Sequence, residues 1–143
     1  HALYFARARP DPPFRLGPLP GAVPEMRNTI PAWVSEYIGV PFVESGATLS
    51  GADCYGLVSM IMCDQTGSPL PKTPAEGVEQ GWYEVPVDDI RRGDVVLFRM
   101  PAGATHVALM VTDEHYIETR PGATSAIRRV SHFSGRVQVW RRT

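Results

Sequence analysis

A chain of 143 residues with 43% hydrophobic content can bury one ordinary core, and no second domain of usual size fits beside it. Basic and acidic residues number 14 and 15, a net charge of −1, which removes the electrostatic reason to expect a nucleic-acid partner; Arg91-Arg92, Arg128-Arg129 and Arg141-Arg142 are scattered and read as solvated faces or local ion pairs. No apolar run reaches the roughly 18 residues of a membrane span, and the histidines and cysteines show no metal-ligand spacing, so neither a structural metal nor a cofactor is expected.

Residues 1–30 read as an N-terminal arm. They start without Met and hold no apolar run suited to a signal peptide. Prolines at 10, 12, 13, 18, 20, 24 and 31 exclude regular helix or strand and favour extended backbone. Leu3, Tyr4, Phe5, Phe14, Leu16 and Leu19 give the arm more apolar surface than a solvated tail carries, so it is expected to dock on its own domain or on a partner.

The remaining unit, 31–143, opens with a short amphipathic helix, Ala32 to Ile38, capped by Asn28 or Thr29, with Pro31 in its first turn and Gly39 ending it. Val40 to Gly51 is expected to be a loop lining a cleft. A second helix runs from Cys54 to about Gln65: Leu57, Val58, Ile61 and Met62 recur at helical spacing, Ser50 or Asp53 can cap it, and Gly67, Pro69 and Pro71 enforce its stop. Residues 72 to 90 look irregular; Trp82 and Tyr83 there wall a cleft or, more commonly for aromatics, pack in the core. Strands follow at Asp94–Arg99, His106–Val111, His115–Thr119, Ala126–Val130 and Val137–Arg141. Helices first and an antiparallel sheet of five or six strands afterwards make an α+β fold.

Cys54 falls in the first turn of its helix, where unpaired N–H groups and the helix dipole favour thiolate over thiol. A lone cysteine is otherwise a small buried hydrophobe. Its counterpart is His106, at the mouth of a strand, where imidazole can face a helix N-terminus packed on the sheet and exchange a proton with sulfur. His115 and His132, in turn regions, are expected at the surface. Cys63 reads as packing: on one helix it lies about 13 Å from Cys54 along the axis, beyond the roughly 7 Å limit for a disulfide. If Thr112-Asp113-Glu114 is a three-residue hairpin loop, Val111 pairs with His115 and Ala108 with Glu118. Glu118 then shares a face with His106, diagonally and roughly 7 to 8 Å away between backbones. A four-residue loop would turn Glu118 to the other face. In the first register Arg120 lies opposite His106, as a solvent-facing strand end or a group for a substrate carboxylate.

Three strings, Gly51-Ala-Asp-Cys-Tyr-Gly-Leu-Val58, Arg92-Gly-Asp-Val-Val-Leu-Phe98 and His106-Val-Ala-Leu-Met-Val111, resemble the blocks of the NlpC family (NlpC/p-sixty), papain-like cysteine peptidases that cut peptidoglycan stem peptides. Tyr37-Ile-Gly-Val-Pro-Phe42 is similar to the segment before the nucleophile, particularly in phage-tail members. The resemblance implies a papain-like core with its nucleophile at a helix N-terminus, Cys54 as nucleophile, and His106 as general base and acid. Glu118 stands at the third position, usually His, Asn or Gln, where a carboxylate can fix the imidazole tautomer. Asp53 matches a residue that holds the substrate's free amine, Tyr55 replaces the usual Ser beside it, and Phe42 stands where a tyrosine often assists near the oxyanion. Without that hydroxyl the oxyanion falls to backbone N–H groups, that of Cys54 first.

The function so implied is a peptidoglycan hydrolase cleaving stem peptides at the D-γ-glutamyl–diaminopimelate bond through a Cys54 thioester, with no metal. Its expected setting is a phage tail or gene-transfer particle acting in the periplasm and cell wall, with tail proteins as partners of the N-terminal arm. The rival expectations are an amidase or acyltransferase at the same site, and a structural tail component without catalysis.

Overall fold

The computed structural model describes residues 28–99, 105–133 and 135–143, so the arm expected over 1–30 lies outside the described residues except for its last three. The first element is a short 3-10 helix, Ala32–Tyr37, rather than an α-helix. Neither Asn28 nor Thr29 caps it. Pro31 takes the N-cap position in extended backbone and its carbonyl accepts Val34 N–H at 3.1 Å, so the turn starts from a residue whose ring pre-sets φ and which offers no side-chain cap. Val34 and Tyr37 are buried, Trp33 meets Tyr37 edge-on at 5.7 Å, and Ile38, expected on the apolar face, is instead exposed.

Val40 to Gly51 is not a plain loop. Strands β1 (Ala47–Thr48) and β2 (Gly51–Ala52) form a small hairpin, and isolated bridges tie Pro41 to Thr124 and Phe42 to Ala52. The nucleophile-bearing helix α1 (Cys54–Thr66) follows at once. Asp53 caps it, accepting Gly56 N–H at 2.6 Å, and Gly67 ends it in the left-handed region at φ 86, with its N–H returned to Cys63. Every residue from Gly56 to Gln65 is buried, a wider face than the spacing of Leu57, Val58, Ile61 and Met62 indicates, because β1 and β5 both pack against this helix.

Residues 72 to 90, expected to be irregular, contain helix α2 (Pro74–Glu79) and strand β3 (Trp82–Val85). Thr73 caps α2 through Glu76 N–H and Pro74 occupies its first turn. The other strands are β4 (Val95–Arg99), β5 (Thr105–Met110), β6 (His115–Glu118), β7 (Ala126–Arg129) and β8 (Arg136–Arg142). They make one antiparallel six-stranded sheet in the order β3-β8-β4-β5-β6-β7, the α+β architecture expected.

The sheet is buried on both faces, which is why β5 from His106 to Met110 shows no polar alternation. Val95, Val107, Leu109, Val111 and Ile117 face α1 and the 3-10 helix. On the reverse face Val96, Phe98, Ala108, Met110 and Tyr116 form a second core, where the rings of Phe98, Tyr116 and Phe133 lie 5.2 to 5.8 Å apart. The β5–β6 turn takes the three-residue form: Val111 N–H donates to His115 at 2.9 Å, with Leu109 opposite Ile117 and Met110 opposite Tyr116. Buried Thr112 sets it, its hydroxyl oxygen accepting the Glu114 and His115 N–H groups at 3.0 and 2.9 Å.

Candidate active site

The register brings His106 and Glu118 to one face at the open end of the β5–β6 pair. His106 Nε2 lies 2.8 Å from Glu118 Oε1, and both side chains are nearly buried. The other ring nitrogen is left for Cys54, which acts on the same imidazole from the first turn of α1. Extended further, the β5–β6 register would set Val107 opposite Thr119. The ladder stops short of that rung, which leaves the Val107 N–H facing the Cys54 sulfur instead of a strand partner. The thiol thus sits where two strands part, between a backbone donor and an imidazole.

These contacts decide the charges. Burial pushes the Cys54 thiol up, but the hydrogen bonds from His106 and Val107 and the imidazolium charge outweigh it and bring the thiol below its usual 9.0. Burial works against the imidazolium of His106 too, yet its hydrogen bonds to Cys54 and Glu118 raise it above 6.5. For Glu118, burial opposes ionisation and is overcome by the hydrogen bonds from His106 and Arg120, which bring the carboxyl from 4.5 to about 2. The two shifts bring the thiol and the imidazole toward each other, the direction that favours thiolate beside imidazolium.

The other expected residues divide. Asp53 is next to the thiol, but both its oxygens are engaged: Oδ1 with Gly56 N–H at 2.6 Å and Oδ2 with Ser45 N–H at 3.0 Å, so its carboxylate serves as cap and loop anchor. Tyr55 lines a cavity of about 240 Å³ that opens at Cys54 and is walled by Leu70, Trp82, Leu97 and Trp140. Its hydroxyl donates to the Leu70 carbonyl at 2.5 Å. Trp82 is therefore both buried and a cavity wall, whereas Tyr83 is exposed and not part of that lining. Phe42 is half-buried in the segment that the 123–125 backbone grips, Phe42 N–H donating to Ala123 at 3.1 Å.

Arg120 departs most from expectation. It gives Nε to Glu118 Oε2 at 2.9 Å and a terminal nitrogen to Oε1 at 3.2 Å, so its guanidinium is turned to the site carboxylate rather than left for a substrate. Arg128, read from sequence as part of a solvated face or a local ion pair, reaches Glu118 Oε2 at 2.6 Å, the second of those alternatives. Period-two spacing carried that signal: Tyr116 pairs with Arg128 and Glu118 with Ala126, which makes Arg128 a diagonal neighbour of Glu118. His115 bonds Thr112 within its turn and His132 is exposed, so among the described histidines His106 is the one at the thiol. Cys63 is buried and both cysteines are free. Among the described residues, no three His, Cys, Asp or Glu side chains cluster as a metal site, and no helix is long and apolar enough to cross a membrane.

Known proteins resemble this chain in both sequence and fold. The murein DD-endopeptidase/murein LD-carboxypeptidase MepS of Escherichia coli K12 is 29% identical over 93 residues, 65% of this chain and 49% of that protein. The gamma-DL-glutamyl hydrolase of Bacillus subtilis 168 is 35% identical over 89 residues, 58% of this chain and 21% of that protein. The crystal structure of the NlpC/p60 domain of the peptidoglycan hydrolase SagA superposes with a TM-score of 0.62 at 28% identity, covering 76% of this chain and 92% of that one. This chain spans about half the length, or less, of the curated relatives it matches. The NlpC/P60 family profile matches residues 39–141, through the thiol helix and nearly the whole sheet, and the chain belongs to the NlpC/P60 family.

Proposed function

We propose that this chain is a cysteine endopeptidase that hydrolyses the peptide stems of peptidoglycan, with Cys54 as nucleophile, His106 as acid and base, and Glu118 as the group that orients the imidazole. The observation that carries the reading is the continuous contact from Cys54 through His106 to Glu118 at the mouth of an apolar cavity. The thiolate attacks the scissile carbonyl; the C–N bond breaks as imidazolium passes its proton to the departing amine, leaving a thioester on Cys54. Water then attacks the thioester, His106 takes its proton, and sulfur leaves as thiolate with a carboxylic acid as product. The oxyanion is placed at the first turn of α1, where the N–H of Cys54 has no intrahelical partner. Glu118 fixes the tautomer by holding Nε2–H, so that Nδ1 meets sulfur.

The bond we propose is the one from D-γ-glutamyl to diaminopimelate; the similarity to a gamma-DL-glutamyl hydrolase supports the bond, and the similarity to a murein endopeptidase supports the wall as substrate. The setting we propose is a phage tail or tail-like particle that opens the wall locally, with residues 1–30 as its docking arm and 31–143 as the peptidase domain. That setting rests on the likeness of Tyr37 to Phe42, and of Tyr55 after the cysteine, to tail members of the family.

The test is digestion of purified sacculi by the parent protein and by Cys54→Ala, with released muropeptides read by mass spectrometry. New termini at the γ-D-glutamyl bond with the parent alone are expected. No release by either protein, on several wall chemotypes and under reducing conditions, overturns the reading in favour of a structural role.

A further inference from the structure

We propose that Arg120 and Arg128 are positioning residues for this site: they clamp Glu118 from two strands and offset its charge, so that His106 is held in place without being held too tightly to its proton. The inference rests on the cysteine peptidase reading and concerns how its third position works.

Glu118 is buried, and each of its oxygens has two partners. Oε1 meets His106 Nε2 at 2.8 Å and Arg120 at 3.2 Å; Oε2 meets Arg120 at 2.9 Å and Arg128 at 2.6 Å. A carboxylate offers about four lone-pair directions, and here all are taken, so the group cannot swing away from the imidazole. Arg120 comes from the chain two residues past β6 and Arg128 from β7, which triangulates the carboxylate between two backbones.

A carboxylate differs in kind from a neutral third residue. Alone beside imidazole in a poorly solvated pocket, it either takes up a proton itself or stabilises the imidazolium so well that proton delivery to the leaving amine slows. Two guanidiniums remove both outcomes. With them the trio carries one net positive charge instead of one negative, and the orienting hydrogen bond survives while the electrostatic hold on imidazolium weakens. The ionisable groups that act on His106 are Cys54 from α1 and Glu118 from β6, with Arg120 and Arg128 behind Glu118; Asp53 faces Cys54 and Tyr116 lies near Glu118.

The experiment uses the whole chain and its Arg120→Gln, Arg128→Gln and Arg128→Lys forms. Iodoacetamide labelling of Cys54 is followed from pH 4 to 10, with a thermal melt of each protein. In a thiolate–imidazolium pair labelling rises in two steps, the upper one marking loss of the imidazolium proton. Each Gln variant is expected to move the upper step up by about one pH unit, since a removed positive charge leaves imidazolium better stabilised, and Arg128→Lys, which keeps the charge, is expected to restore most of it. In wall hydrolysis the Gln variants are expected to lose about ten-fold in kcat with KM little changed. Gln variants that melt lower but label with the parent's profile would make the arginines merely structural and overturn the proposal. A parent that labels in a single step near the ordinary thiol pKa would overturn the Cys54–His106 pair itself, and the proposal with it. A parent that labels in two steps but releases no muropeptide removes only the hydrolase reading, and the shift of the upper step still decides the role of the arginines.

Discussion

Replacing Gly56 by alanine probes how the thiol is placed. Gly56 is the third residue of α1, and a Cβ built on it would lie 1.9 Å from the Gly46 carbonyl oxygen, 2.9 Å from its carbon and 3.0 Å from Asp53 Oδ1. Ordinary carbon–oxygen contact begins near 3.3 Å, so the Gly46 carbonyl must retreat by about 1.4 Å, and it is backbone, not a flexible side-chain tip. That same carbonyl accepts Asp53 N–H at 3.1 Å, so retreat also weakens the bond that fixes the cap. Alanine gains about 1 kcal/mol over glycine inside a helix. Against this stand about 1 to 3 kcal/mol of overpacking and about 1 kcal/mol for the loosened hydrogen bond. The net expectation is a loss of roughly 2 kcal/mol, a fall of about 4 to 8 °C in Tm for a chain of this size. Differential scanning calorimetry reads the stability and iodoacetamide labelling at pH 6 reads the thiol, which is expected to slow as Cys54 shifts away from His106. A Tm equal to or above the parent's would show that helix propensity alone governs the position and refute the close approach of Gly46.

Two further outcomes follow from contacts around the thiol. Glu118 is ionised in the folded chain down to about 2 instead of 4.5, so its contribution is fully present above 4.5 and lost as pH falls through that interval. With the exposed arginines discounted it amounts to roughly 2 kcal/mol; melts between pH 6 and 2 are expected to fall less steeply for Glu118→Gln, and parallel curves would contradict the assignment. His106 acts oppositely, stabilising below its own raised pKa, and leaves that acid window unaffected. Tyr55→Phe removes the hydroxyl bond to Leu70 while Ser59 still holds Leu70 N–H at 3.2 Å; a loss of about 1 kcal/mol with an unchanged labelling profile is expected. A shifted profile would place the Tyr55 hydroxyl in the chemistry.

What could be read from sequence followed local rules. The glycine and apolar pattern around Cys54 located α1, and counting residues across Thr112-Asp113-Glu114 left two registers, of which the structure takes the three-residue loop that sets Glu118 beside His106, because side-chain direction in a hairpin depends only on parity. Features that depend on distant partners escaped. Trp82-Tyr83-Glu84-Val85 becomes a strand because β8 pairs with it, and nothing near Trp82 announces β8. Helix α2 does carry a local signature, the Thr73-Pro74-Ala75-Glu76 start with its cap three residues before the acid. That Arg120 and Arg128 share one acidic partner is not visible in sequence, because the carboxylate they converge on is buried only once the sheet assembles. Trp140, from the end of the chain, joins the cavity by the same long-range pairing.

The place where β5 and β6 part has a spectroscopic consequence. Along the paired section of these strands an amide proton meets a carbonyl oxygen, whose electron density changes little while the fold is intact. The Val107 proton faces the Cys54 sulfur instead. Its chemical shift therefore tracks the charge on that sulfur, moving as thiol becomes thiolate and again when the sulfur carries an acyl or alkyl group and becomes a poorer acceptor. Paired neighbours such as Leu109 stay fixed by their carbonyl partners and serve as an internal standard. One backbone resonance, with no label added to the cavity, thus reads out the chemical state of Cys54.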